Sequence, residues 1–239
     1  MNSDLQAIWV YLAASPLLTL TLTLIAYQCG TWLYEKSGKN PLVNPVLIAV
    51  LAIVTLLTLT GTDYQTYFGG AQFIHFLLGP ATVALAIPLY RQLRRVRESL
   101  LAITITVIAG SLTAAASSVA IAWLLGATRQ TLLSIAPKSA TTPVAMGIAE
   151  QLGGLPTLTA VVVILTGITG AMTATGLLRL VRIRDQRATG MAIGIAAHGI
   201  GTARAFQISE VAGAFSGLAM GLNALATAIL VPLLFRLFG

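Results

Sequence analysis

The sequence predicts an all-α, polytopic membrane protein, and three observations favour that class. Hydrophobic residues make up 56% of the 239 residues, charged residues only 9%, and the mean hydropathy is +0.87. A soluble domain carries about 25% charged residues. Long apolar stretches alternate with short segments that hold most of the basic residues. We therefore expect residues 1–239 to form a single integral membrane domain in contact with the lipid bilayer.

Seven apolar stretches are long enough, or nearly so, to cross about 30 Å of hydrocarbon as helices. They lie within residues 5–34, 40–62, 64–90, 99–128, 151–178, 188–203 and 211–235. No basic segment precedes the first stretch, which is also too long for the core of a signal peptide. We expect it to be an uncleaved first helix.

The distribution of positive charge predicts the topology. Eleven of the fourteen Lys and Arg residues occur in four places: Lys36 and Lys39; Arg91, Arg94, Arg95 and Arg97; Arg179, Arg182, Arg184 and Arg187; and Arg236. Cytoplasmic loops of membrane proteins carry an excess of such residues. We therefore expect the N-terminus outside and these four places, with the C-terminus, inside.

A re-entrant hairpin follows from the same count. Residues 91–97 and 179–187 should both be cytoplasmic, so an even number of crossings must separate them. Three apolar segments lie between: 99–125, about 130–150, and 155–178. The middle one contains Pro137-Lys138-Ser139-Ala140-Thr141-Thr142-Pro143, where two prolines interrupt helical hydrogen bonding. If it enters from outside and turns back there, the count is even; the alternative is that one arginine loop is external.

A second break is predicted at Ala197-His198-Gly199-Ile200-Gly201-Thr202-Ala203-Arg204, within residues 190–206, which we expect to cross outward. Gly79-Pro80-Ala81-Thr82 resembles Gly199-Ile200-Gly201-Thr202 and lies in a helix of opposite direction. Inverted repeats with broken helices meeting near the midplane are a recurrent transporter plan. The repeat halves would be residues 5–95 and 99–236.

The candidate site consists of polar residues at these breaks. A lysine at bilayer depth costs a few kcal/mol, which suggests that Lys138 attracts a carboxylate or pairs with a fixed acid, although it could instead snorkel from a helix end. Arg204 offers a planar guanidinium fork for a carboxylate; alternatively, it pairs with Glu210 or Glu150 or lies at the outer rim. His198 is a core histidine or a proton carrier. The remaining candidate positions are Ser139, Thr141, Thr142, Thr82, Gly199, Gly201 and Thr202, with Asn40, Asn44, Glu150 and Asn223 as additional polar residues.

Several other functions find no support in the sequence. The net charge of +7 resides in short loops rather than on a continuous basic face with aromatic residues, so we expect no nucleic-acid partner. No metal cluster, nucleotide loop or hydrolase triad is recognisable, and we expect neither a cofactor nor an enzyme. Cys29 is the sole cysteine, so one chain cannot form a disulfide within itself.

At these residues the chain resembles the LrgB/CidB family over about residues 15–236. Five motifs carry the resemblance: Pro137-Lys138-Ser139 through Glu150-Gln151, Gly153-Gly154-Leu155-Pro156, the segment from Ala197 to Arg204, Gly79-Pro80-Ala81-Thr82-Val83-Ala84, and Ala214-Phe215-Ser216-Gly217-Leu218-Ala219-Met220. The resemblance implies a bacterial inner-membrane protein, and we expect it to be a homodimer.

The resemblance implies two different functions. Bacterial members are described as antiholin-like proteins linked to murein hydrolase export and lysis, alongside a small LrgA-type partner. The family also includes the plastidal glycolate/glycerate translocator, and bacterial relatives are tied to pyruvate uptake. A pore former needs amphipathic or self-associating helices rather than a buried lysine at a proline break. The residues therefore favour a transporter of small monocarboxylates, proton-coupled or exchanging, with the antiholin-like regulator as the alternative.

Overall fold

The structure is a computed structural model that describes residues 15–38, 40, 42–84 and 86–238, without the side chains of residues 75, 78, 79, 81, 82, 237 and 238. The beginning of the first predicted span, residues 5–14, lies outside the described residues. All regular structure in the described ranges is helical. The predicted all-α class is therefore confirmed. The chain divides into two compact units, Met1–Ala84 and Leu85–Gly239.

The first unit contains three helices in its described part: α1 Pro16–Lys36, α2 Pro45–Thr60 and α3 Tyr64–Ala84. Helix α1 packs against both others, and the hydroxyls of Thr23 and Tyr67 share a hydrogen bond of 2.7 Å between α1 and α3. Two of the predicted polar positions have local structural roles here. Asn44 caps α2 by accepting from two backbone N–H groups, and Asn40 accepts from the N–H of Leu42 at 3.0 Å in a turn.

The second unit contains the other helices of the described chain. They are α4 Ala86–Arg91, α5 Leu93–Glu98, α6 Leu100–Leu124, α7 Arg129–Ile135, α8 Thr142–Leu152, α9 Pro156–Leu180, α10 Gln186–Ile208 and α11 Glu210–Phe238. Among the described residues, three helices are long and apolar enough to cross a membrane: α6, α9, and Glu210–Arg236 of α11. All three belong to this unit.

The predicted proline break separates two short helices, which we call the first hairpin (residues 129–152). Helices α7 and α8 have 7 and 11 residues, about 10 and 16 Å at 1.5 Å per residue, so neither spans the hydrocarbon. The second arm returns beside the first, since Ala136 and Ile148 share one apolar cluster. The N–H of Leu155 donates to the Ser134 hydroxyl at 2.7 Å, and the Thr159 hydroxyl donates to the Ser134 carbonyl at 2.8 Å.

Helix α10 is a second hairpin rather than a crossing, so the prediction that residues 190–206 cross outward is wrong. The chain breaks at His198, where φ is 40° and ψ is −133°. A Cβ atom on Gly201 would lie 2.9 Å from the side chain of Ile193, although eight residues span about 12 Å of continuous helix. At the open end, the Ser209 hydroxyl donates to the Gln186 side chain. We call residues 186–208 the second hairpin.

The second hairpin begins at a capped helix end. Asp185 accepts from the backbone N–H groups of Arg187 and Ala188 at 2.7 and 3.1 Å. The hydrogen bond from the Arg187 side chain is the largest cause that lowers the pKa of the Asp185 carboxyl. The carboxylate therefore stays ionised at neutral pH and stabilises the start of α10.

The contacts of α11 fix its direction. Near its start, Glu210 pairs with Arg91 at 3.4 Å, while near its end Val231 packs against Ala115 of α6 and Ala136 of the first hairpin. Helix α11 therefore runs parallel to α6, and Arg236 lies at the end remote from Arg91. The predictions of cytoplasmic arginine clusters and a cytoplasmic C-terminus cannot both hold if these helices cross the bilayer. We keep the cytoplasmic clusters as the prediction, because they contain eight arginines against one, and the C-terminus is then expected at the outer face.

Candidate functional site

The tips of the two hairpins meet in the middle of the second unit. The side-chain amide of Asn223 donates to the carbonyl oxygen of Ser139 in the first hairpin at 2.9 Å and to that of Ile195 in the second at 3.3 Å. Its oxygen accepts from the Ser111 hydroxyl at 2.5 Å. Ser111 and Asn223 lie near the centres of spans of 25 and 27 residues. The meeting point is therefore at mid-span depth.

Two polar groups of the first hairpin tip lack partners among the described residues. Lys138 is half-buried, and its ammonium makes neither an ion pair nor a hydrogen bond within the described chain. Ser139 is only 4% exposed, and its hydroxyl has no hydrogen-bond partner in the described part of the structure. A buried polar group normally has a partner, so this pair can receive an external one.

His198 forms the tip of the second hairpin and lies within electrostatic range of Lys138. Its Nε2 atom is 2.8 Å from the Val163 carbonyl oxygen of α9, and because a carbonyl only accepts, Nε2 carries the hydrogen. In the neutral ring, Nδ1 is then an acceptor. Gly167 makes room for the ring: a Cβ atom there would lie 2.5 Å from the ring carbon Cε1.

The second arm of the same hairpin is held against α11. The Thr202 hydroxyl donates to the His198 carbonyl at 2.8 Å and shares a 2.9 Å hydrogen bond with the Ser216 hydroxyl. Gly201 is buried, and a Cβ atom there would lie 2.5 Å from that of Ala197. Thr202 and Gly201 thus serve packing at the site, whereas Gly199 is exposed.

The beginning of α8 faces the same region of the chain. Thr141 occupies the N-cap position, but its side chain makes no capping hydrogen bond, and Thr142 is the first helical residue. Both are half-buried. The start of a helix carries partial positive charge and backbone N–H groups that lack helical partners, which suits an anion. This helix start follows the unpartnered Ser139 hydroxyl by three residues.

Other predicted residues lie elsewhere. Arg204 is six residues beyond the break, about 9 Å along a helix, and its guanidinium donates to Gln207 at 2.8 Å. Glu150 is exposed near the end of α8, remote from the hairpin tip. Glu210, considered as a partner for Arg204, pairs with Arg91. Asn40, Asn44 and Thr82 belong to the first unit, and the side chain of Thr82 lies outside the described residues.

Sequence reasoning missed several residues that shape the site. Ser111, Ser216, Val163 and Gly167 contact the predicted residues directly. In the sequence, Ser111 and Ser216 are visible only as single hydroxyl residues within apolar spans. Serine in a helix commonly bonds to its own backbone, so that signal alone does not indicate a site. In the described residues no group of three His, Cys, Asp or Glu could hold a metal ion.

Comparison with known proteins identifies the family. The model of the LrgB-like family matches residues 23–237. The chain belongs to the LrgB-like family. It is 32% identical over 238 residues to the holin-like protein CidB of Staphylococcus epidermidis, covering all of both chains. It is 36% identical over 226 residues to YxaC of Bacillus subtilis, covering 95% of this chain and 98% of YxaC.

A further relative of this LrgB-like protein is the holin-like protein CidB of Staphylococcus aureus, which is 32% identical over 222 residues. The alignment covers 93% of this chain and 96% of that CidB chain. No solved structure matches the chain. The predicted family is therefore confirmed. The names of the CidB relatives are in keeping with the antiholin-like alternative, which the sequence left open.

Proposed function

We propose that this LrgB-like protein is a membrane transporter of small monocarboxylates of the glycolate, glycerate or pyruvate type. One observation carries the proposal: the ammonium of Lys138 has no ion-pair partner among the described residues, although it lies where two broken hairpins meet at mid-span. A cation at such depth is costly unless an anion neutralises it. A transported carboxylate would supply that neutralisation for as long as it is bound.

The groups around Lys138 suit a small 2-substituted carboxylate. The Ser139 hydroxyl can donate to a carboxylate oxygen, as can the backbone at the start of α8. His198 can then meet a substituent at the second carbon through Nδ1, since Nε2 is held by Val163. We assign Lys138, Ser139, Thr141 and Thr142 to the carboxylate, and His198 to the substituent.

The hairpins suit alternating access. Each arm is too short to cross the hydrocarbon, so a site between the tips would lie about half-way from either face. Small movements of one tip would open the site to one side. A proton could accompany the anion by way of His198, because the Nδ1 atom of a neutral imidazole can accept one.

The alternative is a holin-like or antiholin-like role with an LrgA-type membrane partner, as the names of the CidB relatives suggest. A pore requires a water-filled path along helices, whereas the meeting point of the hairpins is packed by Asn223 and Ser216, both fully buried. The transporter therefore accounts better for the unpartnered polar groups.

Uptake by purified protein in liposomes tests the proposal. Labelled glycolate, glycerate and pyruvate should each be offered with and without a pH gradient, because the gradient reveals proton coupling. We expect saturable uptake of at least one of them and counterflow when the unlabelled acid is inside. Equal entry of an uncharged solute of similar size, without saturation, would instead support a pore. Uptake by this protein alone would show that no LrgA-type partner is required.

A further inference from the structure

We propose that Asn223 is a positioning residue that holds the two hairpin tips together, so that Lys138 and Ser139 of the first face His198 of the second. On this view Asn223 does not touch the transported anion. The part that concerns anion affinity rests on the proposed transport function. The part that concerns the hairpin tips does not, and it can be tested without any substrate.

The two carbonyl groups that Asn223 binds lie beside the breaks of the two hairpins. In a continuous helix the Ser139 carbonyl would accept from residue 143, but Pro143 has no N–H. The Ile195 carbonyl would accept from residue 199, which follows the break at His198. Asn223 donates to both carbonyls. It thus supplies one hydrogen bond to each hairpin next to its break.

The amide of Asn223 has no donor left for a ligand. Its two N–H groups serve the two carbonyls, and the residue is fully buried. The Ser111 hydroxyl donates to its oxygen and so fixes which end of the amide faces the hairpins. This distinguishes Asn223 from Ser139, whose hydroxyl has no partner among the described residues. The first is committed to structure, and the second is available to an anion.

Loosening this contact would displace the binding groups. The carbonyl that Asn223 holds belongs to Ser139, whose hydroxyl is unpartnered, and the next residue back is Lys138. A buried carbonyl released from Asn223 is costly until it finds another donor. We expect the tip to separate from the second hairpin more often, which weakens anion binding.

The first experiment measures the tip directly. In a Cys29→Ser background, which removes the sole cysteine, Ser139→Cys places a thiol at the buried tip. Its rate of modification by N-ethylmaleimide reports how often the tip opens. Asn223→Leu removes the donors and Asn223→Asp replaces them with an acceptor of similar shape. We expect each to raise the rate roughly tenfold or more, because both hydrogen bonds from the amide to the hairpins are lost.

A matched control removes a hydrogen bond between the first arm of the same hairpin and α9. Thr159→Val deletes the buried donor to the Ser134 carbonyl without touching the tip. We expect it to lower thermal stability while leaving the reactivity of cysteine 139 within about twofold of the parent, which is less than the effect of one hydrogen bond. A general loss of stability would raise the reactivity in this control as well.

The second experiment measures transport by the same variants with the native Ser139. We expect KM for the carboxylate to rise about tenfold in Asn223→Asp, with a smaller change in kcat, because the geometry of binding is altered and the binding groups remain. Ser111→Ala keeps both amide donors and should raise KM less than Asn223→Asp does.

The outcomes separate the two proposals. Unchanged reactivity of cysteine 139 in both Asn223 variants, with each eluting as a folded protein in detergent, would overturn the positioning role. An equal rise in the Thr159→Val control would overturn it as well. The two proposals can also fail separately. If the reactivity of cysteine 139 rises in the Asn223 variants alone but the native protein takes up no carboxylate, the positioning role is supported and the proposed function is contradicted.

Discussion

The Nε2 atom of His198 lies 2.8 Å from the carbonyl oxygen of Val163, and the imidazole ring lies directly against Gly167. The side chain that ends the first arm of the second hairpin is therefore fixed by a different helix. His198 adopts φ 40°, a conformation that favours glycine and costs on the order of 1–3 kcal/mol for other residues. This strain, beside a glycine that would bear it without cost, supports our proposal that the ring takes part in the site.

Gly167→Ala tests the contact between Gly167 and the His198 ring. The added methyl would lie 2.5 Å from Cε1 and 2.9 Å from Nε2 of His198, so the ring must move and the bond to Val163 is lost. We expect a loss of stability of about 1–3 kcal/mol and at least about tenfold slower uptake. Thermal unfolding and liposome uptake measure the two effects.

The control for that substitution is Gly176→Ala in the same helix. No atom lies within 4 Å of a Cβ placed there, so the alanine should be neutral or stabilise α9 by up to about 1 kcal/mol. Equal losses in the two variants would mean that α9 tolerates no alanine, and the specific contact with His198 would lose its support.

A pair of substitutions at His198 separates the ring from the backbone. His198→Gly removes the strain at φ 40° together with the ring, while His198→Ala removes only the ring. We expect the alanine variant to be less stable than the glycine variant by about 1 kcal/mol, and both to transport poorly. Calorimetry and uptake assays provide the comparison. Normal transport by the glycine variant would show that the ring is dispensable.

Residue-specific labelling tests the topology of the second hairpin and of α11. With Cys29→Ser as background, single cysteines at Gln186 and Glu210 should react from the same face of the membrane, because the second hairpin returns to its origin. A cysteine at Arg236 should react from the opposite face, since α11 crosses once. Reaction of positions 186 and 210 from opposite faces would restore the crossing that the sequence predicted.

The first hairpin was predictable because two independent signals coincide. Counting arginine clusters required an even number of crossings, and the prolines at 137 and 143 marked where the chain turns. Charge counting failed for the second hairpin. Its two arms read as one apolar stretch in the sequence. The contact between Ser209 and Gln186 brings the two ends of this hairpin together, and that contact leaves no sequence pattern.

The candidate site was predictable in part. Lys138 and His198 stand out because a charge or an imidazole beside a helix break in an apolar chain is costly. Arg204 stood out for the same reason, yet it lies on the second arm beyond the tip, where its guanidinium donates to Gln207. The hydrogen bond between Ser111 and Asn223 joins residues 112 positions apart, so only the packing of α6 against α11 brings it about.

Counterflow by purified protein in liposomes tests the central claim most directly. The parent protein is compared with Lys138→Gln and with the control Lys36→Gln, which changes an exposed lysine at the end of α1. A carboxylate that neutralises Lys138 should exchange saturably, and Lys138→Gln should reduce exchange about a hundredfold, the loss of a charge-assisted bond at low dielectric. Lys138→Arg should retain more exchange, because it keeps the positive charge. Exchange at parent levels by folded Lys138→Gln, or equal leakage of uncharged solutes through the parent, would contradict a carboxylate carrier centred on the hairpin tips.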